Sequence, residues 1–161
     1  ILFLHSDDIL KNLHTLITDV NYSKADVIFY GIEIQGPYFK RKWHIPNLSS
    51  INVSSMFIPP HAGILVCRNI YCNIGKFSTV YKISGDFEWI LRLLRTSNVS
   101  FNFSNKTTYV MKSGGVSNSG FISELTKFLD DVRVLKSLGF NFPVYKVLRK
   151  KINKLYQLKK I

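Results

Sequence analysis

Two pairs of carboxylates stand out in a chain with ten acidic residues against twenty-two lysines and arginines. Asp7 and Asp8 close the apolar opening ILFLHSDDIL, and Asp86 and Glu88 lie in ISGDFEWILRLL, directly after Gly85. Adjacent carboxylates repel one another unless a cation or a set of N–H donors neutralises them, and a divalent metal carrying a nucleotide diphosphate is one such partner. A helix N-terminus is the other, with one Asp capping the unpaired amides and its neighbour solvated. Asp86 admits two readings of the same kind. At the head of a helix that opens into a crevice, it can take a proton from a hydroxyl nucleophile. It can equally well cap the helix and compensate its dipole.

These side chains have to be positioned by the elements around them. Residues 1 to 6 read as a strand, and from Asp8 onward DDILKNLHTLITDV places Ile9, Leu10, Leu13, Leu16, Ile17 and Val20 at helical spacing, so either Asp can cap that helix. ADVIFYGIEI follows as an apolar strand of the kind covered on both faces. Strand, helix and strand within about thirty residues make a βαβ unit, which predicts a parallel, doubly wound sheet. In such sheets ligands sit beyond the carboxyl ends of the strands, where Asp7 and Asp8 would fall.

Further along, residues 35–60 form a polar, aromatic, Pro-punctuated excursion with a short hairpin expected at GPYFKRKW. AGILVCR reads as a strand, and NIYCNIGKF as a short helix stopped by Gly75. SGDFEWILRLLRTS predicts a helix with Phe87, Ile90, Leu91 and Leu94 on one face. A strand, VSFNFSNKTTYVMK, then runs into the turn SGG. Two helices complete the chain, from about Gly120 to Leu138 and from Pro143 to Lys159.

A chain of 161 residues, 46% of them apolar, suits one compact domain with a real core and excludes both disorder and a small disulfide scaffold. It opens on Ile in what reads as mid-strand, so we expect the C-terminal portion of a larger protein. No stretch approaches the ~20 apolar residues that span a bilayer, and none resembles a signal peptide, which points to the cytoplasm. Cys67 and Cys72 have no His or Cys partner at zinc-ligand spacing and are expected to be reduced, buried thiols. The Asn-x-Ser/Thr triplets, as at Asn52 and Asn98, follow from the abundance of Asn and Ser and are not read as glycosylation sites.

The formal charge of +12 is uneven: Pro143 to Ile161 holds seven Lys or Arg and no acid, leaving +5 for the preceding 142 residues. There Val144, Val147, Leu148, Ile152, Leu155 and Leu158 form one helical stripe among the basic residues. Such a helix can lie on an anionic membrane, or pack on the domain with its basic face in water. Phosphates also attract a basic surface, but the charge sits in the tail and no RNA- or DNA-binding motif occurs, so no nucleic acid is expected.

Four blocks, LFLHSDDIL, ADVIFYGIEI, IPPHAGILVCRNIYCNIGKFSTVYKISGDFEWILRLL and SGGVS, resemble in order and spacing the family 2 glycosyltransferases of the GT-A fold, especially bacterial enzymes that build surface polysaccharide. The resemblance spans Ile1 to Ser117. It implies an α/β, Rossmann-like, mostly parallel sheet with flanking helices over residues 1–118, without its N-terminal nucleotide-recognition part, and a basic helical extension over 119–161. It also implies inverting, metal-dependent transfer of one sugar from a nucleotide-sugar donor to a saccharide or lipid-linked hydroxyl acceptor. HSDD stands at the family's metal motif, so Asp8 is implied as a ligand to Mg²⁺ or Mn²⁺, and Asp7 as a contact to the donor or the metal shell. His5 takes the place of the first acid of the usual Asp-x-Asp triplet, which leaves the ligand assignment between Asp7 and Asp8.

Asp86 falls at the family's catalytic base, with Glu88 in a supporting or capping role. His61, in PPHAG, stands where the family often has an acceptor-side His, and a hydrogen-bonded structural His fits that place equally. Gly114 and Gly115 resemble a loop that approaches the site, although any turn needing a positive φ would use glycine. Arg92 and Arg95 read as solvated residues of the following helix. The Gln-x-x-Arg-Trp signature of processive synthases is lacking, which implies single additions. A lipid-linked acceptor would bring the enzyme to the inner face of the cell membrane.

Overall fold

The β-branched and aromatic run of β2 (Val27–Gln35) is buried almost throughout and organises the molecule. The computed structural model describes residues 1–5, 8–45, 53–112 and 120–160. Along one edge of β2 runs β5 (Phe101–Lys112), parallel, from Val27 opposite Phe101 to Gln35 opposite Lys112, with register shifts around Gly31. The other edge is shared by two short antiparallel strands. β4 (Ile64–Val66) pairs with Val27–Phe29, and β3 (Lys40–Trp43) folds back from the expected hairpin onto Ile32–Gln35. β1 (Ile9–Leu10) and β6 (Leu158–Lys160) extend the sheet antiparallel to β5 and β3. The result is a mixed α/β fold with a six-stranded sheet, its parallel character carried by the central pair.

Among the described residues five α-helices flank it: α1 (Leu13–Tyr22), α2 (Arg68–Ile74), α3 (Gly85–Arg95), α4 (Phe121–Ser137) and α5 (Pro143–Gln157). Successive side chains of a strand point to opposite faces, so Val27 and Phe29 join one core while Ile28 and Tyr30 join another. The first core is the larger. It takes Phe87, Trp89, Ile90, Leu91 and Leu93 from α3, Val134 and Leu135 from α4, and Val147 from α5. Trp89 is fully buried, its indole N–H donates to the Gly75 carbonyl at 2.8 Å, and its ring meets those of Phe3, Tyr71 and Phe77. Opposite, Leu16 of α1 packs on Ile28 and Tyr30.

Several expectations are corrected. The opening segment is not a strand over its described residues 1–5, where Leu2 alone bridges, to Leu65, and the strand is the short β1, beyond Asp8. The cause is a turn in which the Asp8 amide donates to the His5 carbonyl at 3.2 Å, splitting the apolar run in two. Consequently the parallel neighbour of β2 is β5, and the βαβ unit expected from the first strand does not form. Asp8 does not cap α1, which begins at Leu13 behind Asn12; the Asn12 side chain donates to the Thr107 carbonyl at 2.9 Å, and Asp8 is held by β5. Cys67 and Cys72 are free but exposed, because α2 turns Ile70, Tyr71 and Ile74 toward the core instead.

Arg92 is not a solvated face residue, and Arg95, though exposed as expected, is also tied to the main chain. Arg92 donates to the Ile74 and Lys76 carbonyls and to Glu88, fastening the end of α2 to α3. Arg95 donates to the Leu138 carbonyl and stacks over Phe140 at 5.0 Å, fastening the end of α4. Of the α5 stripe, only Val147 is buried and Leu158 is partly covered.

Candidate active site

His61 and Asp86 are delivered by two neighbouring chain entries into the core. His61 opens a 3₁₀ turn, His61–Gly63, closed by the Gly63 amide on the Pro60 carbonyl at 3.1 Å. A side chain at Gly63 would collide with the Tyr30 carbonyl, so glycine lets this turn press directly on β2. Asp86 lies in the first turn of α3, after Gly85, where an added Cβ would sit 2.7 Å from the Ser78 carbonyl oxygen. Both turns are therefore held tightly, and they bring the two side chains into contact: His61 Nδ1 lies 3.2 Å from Asp86 Oδ2.

From there a chain of polar contacts runs to the first acidic doublet. His61 Nε2 is 2.8 Å from His5 Nε2, with the rings nearly perpendicular. The His5 amide donates to the Tyr109 hydroxyl at 3.2 Å, and that hydroxyl donates to Asp8 Oδ2. Asp8 Oδ1 accepts the Lys112 amide at 3.1 Å. Asp8, Tyr109, His5, His61 and Asp86 thus form one connected cluster, drawn from the opening segment, β5, the 3₁₀ turn and α3. Asp7, Gly114 and Gly115 lie outside the described residues.

Asp86 keeps 42% of its side chain open to solvent while its Oδ1 accepts the Phe87 amide at 2.7 Å. Enclosure opposes its charge, but the hydrogen bond and charge of His61, then Lys150 and the Phe87 amide, outweigh it and hold the carboxyl down to about 2. It is thus ionised at neutral pH and carries its proton acceptor lone pairs toward solvent. Tyr109 shows the reverse: burial first, then the Asp8 carboxylate, push its hydroxyl well up, so it remains a donor. Glu88 is buried and paired with Arg92 at 2.7 Å, a supporting position within α3 and away from the cluster.

The basic tail contributes to this site in a way the sequence did not announce. Lys150 and Lys154, one turn apart on α5, point inward and both feel the charge of Asp86 and the repulsion of Lys127 on α4. Lys150 donates to Asp131 at 2.7 Å, and Lys154 sits 4.7 Å above the Trp43 ring. Burial, then Lys127 and Lys150, pull Lys154 down from 10.5 to about 8. The unfolded chain therefore holds more protons than the folded one between those two values, and stability should rise with pH across that window. Urea midpoints measured at about pH 8 and about pH 10 test this. Lys154→Met should make that rise smaller than in the parent protein, with Lys150 contributing what is left.

No group of three His, Cys, Asp or Glu side chains placed to hold a metal occurs among the described residues. Asp8 has one hydrogen bond on each oxygen and retains further lone pairs, so it can supply a single ligand. That donor set fits a Mg²⁺ or Mn²⁺ brought in on nucleotide phosphates, which needs one or two protein carboxylates, and does not fit an ion held by protein alone. An open depression of about 480 Å³, lined by Ile74, Arg92, Arg95, Thr96, Ser137 and Leu138, lies at the opposite end of α3. Its arginines already donate to main-chain carbonyls, so the polar cluster, and not the depression, is the candidate site.

His5, Tyr109, Lys150 and Lys154 are the members that sequence reasoning missed as site residues. The inward placement of the lysines had no apolar signal: 150 and 154 share a helical face with Val147, Asn153 and Gln157, of which only Val147 is apolar. Tyr109 had none: it reaches Asp8 only because β1 sets Leu10 opposite it. No protein-family model matches this chain, and no curated protein matches it.

Proposed function

We propose that this chain is a glycosyltransferase of the inverting kind, moving one sugar from a nucleotide-sugar donor to a hydroxyl of a saccharide or lipid-linked acceptor. The reading starts from the four blocks that resemble family 2 enzymes. The observation that carries it further is the connected cluster joining Asp8, through Tyr109, His5 and His61, to Asp86. Two acidic positions distant in sequence are thereby brought to one site, as a donor-side carboxylate and a base on the acceptor side require.

In this reaction the acceptor oxygen forms a bond to the anomeric carbon while the bond from that carbon to the phosphate oxygen breaks. Asp86 takes the hydroxyl proton, and the electron pair leaves with the nucleoside diphosphate. His61 holds the Asp86 carboxylate in place by its Nδ1 contact and is itself backed by His5. The inward Lys150 and Lys154, which feel the charge of Asp86, put positive charge on this side of the site, as a diphosphate needs. A bound Mg²⁺ or Mn²⁺ would supply further neutralisation of the departing diphosphate, and Asp8 would be its ligand among the described residues. No helix among the described residues is long and apolar enough to cross a membrane. Action at the cytoplasmic face of a membrane is part of the proposal.

Isothermal titration with a panel of nucleoside diphosphates tests it. At least one should bind in the presence of Mn²⁺, and Asp8→Ala should weaken that binding by about tenfold or more. Silence across the panel, or tighter binding of an RNA oligomer than of any diphosphate, would refute the reading in favour of a basic binding module.

A further inference from the structure

The two C-terminal helices are folded with their polar sides inward. In α5, Lys150, Asn153 and Gln157 join Val147 against the domain, while Val144, Leu148, Ile152 and Leu155 face outward, Leu155 at 70% exposure. In α4, Ser123, Asp130 and Asp131 are buried with Val134 and Leu135, whereas Phe121, Ile122, Leu125 and Leu129 are exposed, Phe121 at 84%. This orientation is pinned by polar contacts. Asp130 accepts the Ile83 amide at 3.0 Å, Asp131 accepts from Lys150 at 2.7 Å, and Asn153 donates to the Ser55 carbonyl at 2.6 Å. Turning either helix over to hide its apolar row would break those bonds and strand buried charges.

The apolar rows adjoin. Lys151 of α5 reaches Glu124 of α4 at 3.4 Å and lies 5.7 Å from the Phe128 ring, which marks the seam between them. The net charge around this face is positive. Of the three acids in the two helices, Asp130 and Asp131 are buried, with Arg133 3.7 Å from Asp130, and Glu124 is paired with Lys151; the exposed Lys136 and Arg149 then leave the rim of the apolar surface basic, with no unpaired acid.

We infer that the outer face of the α4–α5 pair is a docking surface for an anionic lipid bilayer, with the apolar rows entering the headgroup and acyl boundary and the basic rim on the lipid phosphates. Charge complementarity selects this occupant. A second copy of the chain would set two basic rims against each other, and a nucleic acid would leave the apolar rows in water. The inference stands without the transferase reading; where both hold, the bilayer is the source of a lipid-linked acceptor.

Co-sedimentation with vesicles tests it. The full chain should pellet with phosphatidylcholine vesicles containing about one-third phosphatidylglycerol, and at least about tenfold less with phosphatidylcholine alone, the difference shrinking as salt is raised. Two pairs of exposed substitutions, Leu148→Glu with Ile152→Glu on α5 and Leu125→Glu with Leu129→Glu on α4, should each keep the far-UV spectrum and melting temperature and leave the protein in the supernatant. Arg149→Gln with Lys136→Gln, which touches no buried group, should weaken pelleting on anionic vesicles even if an apolar variant fails to fold. A parent chain that stays in the supernatant overturns the inference. So does pelleting that survives the α4 pair, or a dimer seen by light scattering that the same substitutions abolish. Retention of RNA in preference to anionic vesicles likewise assigns the basic rim elsewhere.

Discussion

Asp86→Asn lowers kcat by about 10²- to 10⁴-fold, the usual contribution of a positioned general base, and leaves KM for the donor within a few-fold of the parent value. The amide keeps the size of the carboxylate and can still accept the Phe87 amide through its oxygen, so α3 starts as before. What it loses is the charge, and with it the partner of His61 Nδ1. A second measurement reports the same carboxylate without any substrate. Its affinity for a proton is depressed to about 2 in the folded protein from 3.8, so it contributes stability that is complete above the higher value and disappears as pH falls through the lower one. The Asn variant should lack that acid-side dependence, seen as a flatter curve of denaturation midpoint against pH between about 4 and about 2. A turnover reduced only two- or threefold, with the acid-side dependence gone, would show that Asp86 is ionised and bound as described but is not the base.

How far the sequence foretold this arrangement depends on what kind of information each part needed. β2, α2, α3 and the two C-terminal helices were legible because apolar periodicity and local punctuation suffice: Gly75 ends α2, and Phe87, Ile90 and Leu91 do lie on one buried face. The opening was misread because its apolar residues are interrupted by a turn at His5–Asp8, which no period announces. That turn also decides the role of Asp8, held by Tyr109 and the Lys112 amide across a strand pairing between residues about a hundred positions apart. His61 was singled out, and its ring makes the contacts of a hydrogen-bonded structural His, on Nε2 to His5 and on Nδ1 to Asp86; an acceptor-side role belongs to the proposal. The direction of the amphipathic helices was not legible. A stripe of apolar residues on α5 defines a face but not whether it turns in or out, and here Asp131, Lys150 and Asn153 overrule it.

Asp131→Ala destabilises the protein by about 3–5 kcal/mol, the range for removing one partner of a buried ion pair. Asp131 is 1% exposed, its Oδ2 accepts Lys150 at 2.7 Å, and Lys150 Nζ lies 3.4 Å from the centre of the Phe87 ring. Without the carboxylate, that ammonium would be left between an aromatic ring and the packed faces of α4 and α5. Burial already pulls Lys150 below its ordinary proton affinity, and Asp131 is the main influence holding it up. The variant should therefore gain stability with rising alkaline pH more steeply than the parent, because its folded form releases the Lys150 proton earlier than its unfolded form. Lys150→Met alone should also be costly, since it leaves Asp131 charged, buried and with Oδ1 already lacking a partner among the described residues. The double variant Asp131→Leu with Lys150→Met should recover most of the loss, because an apolar pair of similar volume has no charge to desolvate. Guanidinium denaturation of the parent, Asp131→Leu, Lys150→Met and the double variant measures the coupling directly. If both single variants stay within about 1 kcal/mol of the parent, the pair is not what fixes α5 on α4, and the outward set of the two apolar rows must have another cause.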